Sequence, residues 1–211
     1  MSKHIDTTFR RVPERGGNDF DQACAIIDAA KICHVGFVME DQPYVLPMAC
    51  ARAENQLLLH GSVASRLMKQ LAGGLSCCVT ITHLDGIVLA RSAFHSSMNY
   101  RSVMVFGKAA LVTDESERKA GFDVLTEQLA PGRLSELRES TAKELNATHL
   151  LSLPIETFTT KVRTGPPSDL ASDLDLPLWA GVVPLTLTSQ EPVTAPDMRF
   201  DTPAPDYLSG I

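Results

Sequence analysis

Three polar residues, Glu40, Asp41 and Gln42, separate two strand-length apolar runs, ICHVGFVM (32–39) and PYVLPMACA (43–51). A connection this short joins antiparallel neighbours, because a parallel crossover needs a dozen residues or more. The chain is thereby committed to a hairpin, and later segments keep the same scale. QLLLHG (56–61), LSCCVTIT (75–82), GIVLARS (86–92), a long run over 99–114, HLLSLPI (149–155) and TKVRT all have strand length. In LSCCVTIT, Leu75, Cys77, Val79 and Ile81 share one face, the alternation of a half-buried strand. HLDG (83–86) reads as a turn, Gly107 as a bulge, and Pro47 as a strand edge or bulge. Six or more antiparallel strands with helices between them make a mainly β, α+β chain: a small barrel with helical additions rather than a βαβ sheet.

Helices are expected where the period lengthens. Asn18 or Asp19 caps the first, whose Phe20, Cys24, Ile27 and Ala30 recur to about residue 31. Ser62 caps the second, which carries Leu67 and Leu71 and stops at Gly73-Gly74. Asp114 and Glu117 open a third that runs to about Leu129, and a short fourth covers about 135–146. Residues 1–17 read as a polar arm on a domain spanning 1–185. Nine of the 13 prolines lie from Pro154 onward, so residues 186–211 are expected to form an extended Pro-rich tail over a surface.

Composition removes several functions. Nineteen basic and 25 acidic residues give a net charge of −6, without the footprint of a general nucleic-acid binder. No apolar run reaches the ~18 residues that span a bilayer, and MSKHIDTTFRR has no signal-peptide core, so a cytoplasmic protein without a membrane partner is expected. Five cysteines without CxxC spacing predict buried, reduced thiols rather than disulfides or zinc. The histidines show no HExxH spacing, so no metal is assigned. GxSxG, GxGxxG and GK[ST] are all absent from the sequence.

Four places concentrate polar chemistry. His60-Gly61-Ser62-Val63-Ala64-Ser65-Arg66 sets two hydroxyls and an arginine at a helix start, which suits an anion; the alternative is a capped helix with a solvated arginine. The stretch from Arg91 to Ser102 reads either as a solvated loop or as a ligand wall ending in Arg101 and Ser102. Lys161 to Pro167 is basic and abruptly rigid, and Trp179 is the sole tryptophan, an anchor or a cofactor wall. A site with an anion cradle but neither nucleophile nor metal leaves the chemistry to an organic cofactor.

HVGFV…PYVLPM, LLLHGSVASR, LDGIVLARSAFHSSMNYRSVMVFGKA, KVRTGPP and LPLWAGVVPL follow one another over most of residues 10–185. In that order they resemble the flavin-binding branch of the pyridoxamine 5′-phosphate oxidase-like superfamily. The resemblance implies the FMN-binding split barrel, a six-stranded antiparallel Greek-key barrel with peripheral helices. It implies a homodimer with FMN in the subunit interface, acting as an oxidoreductase on a small organic substrate, with NAD(P)H as a candidate donor. It maps flavin contacts onto Tyr44, Val45, Leu46, Pro47 and Met48, and the phosphate segment onto His60, Gly61, Ser62, Ser65 and Arg66. Arg101 and Ser102 map to a position that reaches the flavin, as does Trp179. No catalytic residue is assigned. The R-x-H substrate motif of the true oxidases has no counterpart in AGVVPLTLTS (180–189), and the sequence is closer to flavin-nucleotide-binding and nitroimidazole-reductase-like members. Two alternatives stand beside this reading: haem binding or degradation with a histidine as axial ligand, and flavin binding without turnover.

Overall fold

The computed structural model describes residues 5–210 apart from 9 and 11. Its strands are β1 (Gly16–Gly17), β2 (Ile32–Met39), β3 (Gln42–Ala53), β4 (Gln56–Ser62), β5 (Ser76–Leu89), β6 (Ser97–Lys108), β7 (Ala110–Leu111), β8 (Thr148–Pro154), β9 (Thr157–Arg163) and β10 (Gly181–Pro184). They pair in the order β1-β9-β6-β5-β2-β3-β4-β8-β7, with β10 added to β5. The helices are α1 (Phe20–Asp28), α2 (Arg66–Ala72), α3 (Glu115–Leu129) and α4 (Ala142–Asn146).

The β2–β3 hairpin forms as its short connection requires, with Met39 opposite Gln42 and Ile32 opposite Ala49. β3 then changes partner. Its residues 42–49 pair with β2 and its residues 50–53 with β4, so the first half of β3 keeps one unpaired edge facing a gap. Pro47 lies on that edge, where its missing N–H removes no ladder bond. This parting of β3 and β4 is the split of a split β-barrel. Six strands, β2 to β6 and β8, line the interior with Val35, Cys50, Leu57, Leu59, Val79, Val103 and Leu151, all fully buried. Ala23, Ile26 and Ile27 of α1 close one side of this core, and Leu67, Met68 and Leu71 of α2 another. A second, smaller cluster forms where Leu125 of α3 packs on Leu58 and Leu150.

Several sequence expectations are corrected. HLDG is not a turn: β5 runs through it, and a register shift between Leu84 and Gly86 accommodates Asp85. Gly107 is not a bulge; β6 stays in register there, and an added Cβ would lie 3.0 Å from Leu153 Cδ1. The glycine is required because β6 approaches β8 closely. The cap of α2 is Ser65, not Ser62, because the chain turns once more before the helix begins. The fourth helix is broken into a 3-10 turn at Arg133–Glu136 and the five-residue α4. Within the expected arm, Pro13–Arg15 is a 3-10 turn and Gly16–Gly17 pairs with β9, while residues 1–4, 9 and 11 lie outside the described residues.

Asp19 caps α1 as expected, accepting a hydrogen bond from the Gln22 N–H at 2.7 Å. Tail residues continue from β10 into irregular chain and end in a 3-10 turn, Asp206–Gly210. All five cysteines are free; burial pushes the Cys77 thiol up to about 11, so it stays protonated. Among the described residues no helix is long and apolar enough to cross a membrane, and no three potential ligands converge as a metal site.

Candidate functional site

The gap between β3 and β4 is furnished by the turn into α2. Ser62 and Ser65 spend their hydroxyl lone pairs locally, accepting from the N–H groups of Ala64 at 3.2 Å and Met68 at 3.4 Å. Gly61 is needed for packing: an added Cβ would sit 2.9 Å from Cγ of the buried Met68. Arg66 follows, and its guanidinium carbon stands 5.0 Å from the centroid of Tyr44. Tyr44 in turn stacks on Phe37, centroids 5.2 Å apart and planes 14° apart. The register explains this pile, since Phe37 and Tyr44 are cross-strand partners. Arg66 is exposed and has no carboxylate partner among the described residues. α2 has only seven residues, so the arginine's own charge, rather than a helix dipole, would draw an anion here.

Along the unpaired edge of β3, Tyr44, Leu46 and Met48 face the barrel side, opposite Phe37, Val35 and Cys33. Val45 and Pro47 face outward, and Val45 is 65% exposed. Arg66 over the Tyr44 ring joins this edge to the turn that carries Ser62 and Ser65.

Arg101 and Ser102 are elsewhere. Phe37, Cys77 and Gly107 share one level of the sheet, and Arg101 lies six residues further along β6. At ~3.3 Å per residue that is about 20 Å, so one chain does not bring Arg101 to Tyr44. Arg101 is held instead by Asp85, donating from Nε at 2.9 Å and Nη2 at 2.8 Å. The β5 irregularity aims Asp85, and the guanidinium holds its carboxyl below the usual carboxylate range. Ser102 Oγ donates to Lys161 O at 3.3 Å. Trp179 is 67% exposed beside Gly181, where an added Cβ would meet its ring at 2.8 Å. It lies toward the Arg101 end, because β10 pairs with residues 86–89 of β5.

His60 occupies a third place. Alternation along β4 buries Leu57 and Leu59 in the barrel and turns Leu58 and His60 beneath α3. The imidazole meets Phe122 edge-on and lines a cavity of about 260 Å³ with Phe122, Leu125, Thr126 and Glu144. Its Nδ1 is buried and has no hydrogen-bond partner among the described residues. Burial lowers its pKa from the ordinary 6.5, keeping the ring neutral. The roof between α3 and α4 is fastened by Glu127, which accepts from the N–H groups of Gly132 at 2.8 Å and Leu134 at 3.0 Å. From the tail, Tyr207 donates to Glu136 at 2.6 Å. Sequence reading grouped His60 with Gly61 and missed Phe122 and Thr126; their four-residue spacing on α3 was the available signal.

A protein-family model described as pyridoxamine 5′-phosphate oxidase matches residues 19–162. A search of curated proteins returns no match. Among solved structures, the FAD and haem binding protein from Mycobacterium smegmatis is 37% identical, covering 93% of this chain and 96% of its own, with a TM-score of 0.88. The flavocytochrome Anf3 from Azotobacter vinelandii is 38% identical over 97% of this chain and 95% of its own, with a TM-score of 0.89. A protein from Bacteroides thetaiotaomicron described as a putative 5-nitroimidazole antibiotic resistance protein shares the fold at 23% identity, covering 70% of this chain and 86% of its own, with a TM-score of 0.59. Matched over most of its length, the chain belongs to the pyridoxamine 5′-phosphate oxidase family.

Proposed function

We propose that this protein is a flavin-binding oxidoreductase that works as a homodimer. The observation that carries the reading is Arg66, an exposed cation without an acidic partner among the described residues, seated on the Tyr44–Phe37 stack beside the unpaired edge of β3. A phosphate would meet the guanidinium, and backbone groups of residues 44–48 would meet the polar edge of a flat ring. Leu46 and Tyr44 would shield that ring from water. The bound flavin supplies reversible hydride or electron transfer to a small organic molecule, with NAD(P)H as a candidate donor. The resemblance gives FMN; we favour FAD, because the mycobacterial relative is described with it and Arg66 needs only the phosphate that both flavins carry. Oxidation of vitamin B6 is not proposed, since residues 180–189 lack the R-x-H motif.

Two features support the dimer. Arg101, Ser102 and Trp179 lie too far from Tyr44 to touch the same flavin ring within one chain, and a second protomer would supply them. Ile32, Val38, Val45 and Met104 all point to the outer face of the sheet, exposed by 52%, 55%, 65% and 38%. A second copy covering such a face would bury more than about 1,000 Å², the scale of a stable interface. The test is extraction and chromatography of the flavin, with light scattering for mass. Stoichiometric FAD or FMN in a dimer supports the reading; a monomer that takes up neither flavin contradicts it.

A specific observation favours haem as a second group. His60 is a half-buried, neutral imidazole whose buried Nδ1 has no hydrogen-bond partner among the described residues, at the edge of a cavity, a state in which the nitrogen is free to ligate a metal. Both relatives of near-complete coverage have names that denote haem or a cytochrome together with a flavin. At about 260 Å³ the cavity is below the ~300–1,000 Å³ of ordinary ligand pockets, so a macrocycle requires displacement of the α3–α4 roof. Haemin titration followed by the Soret band tests this directly.

A further inference from the structure

A cavity of about 860 Å³ lies at the Arg101 end of the sheet, within the range that holds cofactors and substrates. Its floor is β5 and β6, with Leu84, Asp85 and Arg101. Lys31, just beyond α1, forms one wall, and the tail from Leu185 to Ser189 forms the other. Each wall is held in place. Lys31 Nζ donates to Gln128 O at 2.5 Å, and Gln128 Nε2 donates back to Asp28 O and Ala30 O at 2.7 Å. Leu185 N–H donates to the Asp85 carbonyl at 3.0 Å, so the register shift that aims the Asp85 carboxylate also seats the tail. Gly86 lets β10 pass, because an added Cβ would lie 3.1 Å from Val182 Cγ1 and from Val183 O.

The charge balance of this cavity runs against that of the chain. The protein is net −6, yet the cavity sets Lys31 and Arg101 against the single carboxylate of Asp85. Asp85 occupies Nε and Nη2 of Arg101, which fixes the guanidinium plane and leaves Nη1 without a partner among the described residues. Leu84 and Leu185 add apolar surface, exposed by 45% and 40%, and Thr82, Thr188 and Ser189 add hydroxyls. We infer that this cavity binds a small organic acid, its carboxylate set between Lys31 and Arg101 and its apolar body against Leu84 and Leu185. The inference stands on the cavity alone and does not require a flavin. In the proposed dimer such an acid would be a reactant or regulator near the Arg101 end of the site.

The test is an NMR titration of the full chain, as purified, with benzoate and with benzyl alcohol as the neutral analogue. Benzoate is expected to shift the amides of residues 185–189 and to bind more tightly than the alcohol. Lys31→Met should weaken benzoate about tenfold to hundredfold, the worth of a charge-assisted contact, and leave the alcohol unchanged. Asp85→Asn should act in the opposite direction and tighten benzoate, because it removes the competing carboxylate. A purely structural Asp85–Arg101 pair gives no such gain. Equal binding of acid and alcohol, shifts confined to other residues, or loss of benzoate binding in Asp85→Asn would overturn the inference. A protein that stays colourless after incubation with FAD and FMN would contradict the flavin reading while leaving this titration fully readable.

Discussion

The imidazole of His60 stands edge-on to Phe122, ring centroids 6.4 Å apart with planes at 89°, on the face of β4 opposite Leu59. One residue of strand alternation separates a core leucine from a histidine under a helix. The same alternation divides His60 from Gly61, which packs against Met68, and so places the histidine and the Arg66 cradle in different compartments.

That separation makes the two cofactor readings independent. His60→Ala should abolish a Soret band on haemin addition, or weaken haemin binding at least about tenfold, while flavin binding stays intact. Parallel titrations with haemin and FAD check it. Loss of both together would place His60 in a shared site and contradict the compartments.

Arg66→Ala should lower flavin affinity about ten- to hundredfold, corresponding to ~1.5–3 kcal/mol for a charge-assisted hydrogen bond. Riboflavin, which has no phosphate, should be unaffected. Arg66→Lys should restore only part of the loss, because an ammonium offers no planar fork to a phosphate and stacks less well on Tyr44. Fluorescence titrations with FAD, FMN and riboflavin measure all three.

Gly121→Ala should destabilise the fold even though alanine favours a helix by ~1 kcal/mol over glycine. The new Cβ would collide with Leu150 Cδ2, on a side chain only 1% exposed with little room to retreat. A net loss of about 1–3 kcal/mol is expected from this overpacking. Denaturant unfolding of the variant reads the value, and a gain in stability would show that α3 packs less tightly on β8.

Arg101 lowers the pKa of Asp85 in the folded chain below the 3.8 of the free carboxyl. The unfolded state therefore takes up a proton first as pH falls. Stability from this pair is fully present above about pH 3.8 and is lost as pH drops through the lower folded value. Asp85→Asn should flatten the acid limb of a melting-temperature profile below about pH 3.8 and leave its shape at higher pH unchanged. The pair is one-third exposed, so solvent screening keeps the effect small.

Much of the strand order was legible because connection length and period-two burial are local properties. The β2–β3 turn, narrowed to Glu40-Asp41 because Gln42 joins β3, the Leu75–Ile81 face and the Asp19 cap are fixed by neighbours in sequence. The misreadings share one cause. Gly107 and HLDG carry local turn chemistry, but what uses them is distant: Leu153 across the barrel, and β10 with Arg101 beside the bulge. The candidate site was legible in part for the same reason. Tyr44 to Met48 and Ser62 to Arg66 are short contiguous segments that the split of β3 from β4 brings together. The cavity beneath α3 joins His60 to residues more than sixty positions away, and no local pattern reports such a meeting.

The absorption spectrum of the full-length protein as purified, with haemin added if the preparation lacks it, tests the central claim most directly. Flavin bands that bleach on reduction, together with a Soret band lost in His60→Ala, are the predicted result. A spectrum with neither flavin bands nor a Soret band, unchanged after incubation with FAD, FMN and haemin, would contradict the account.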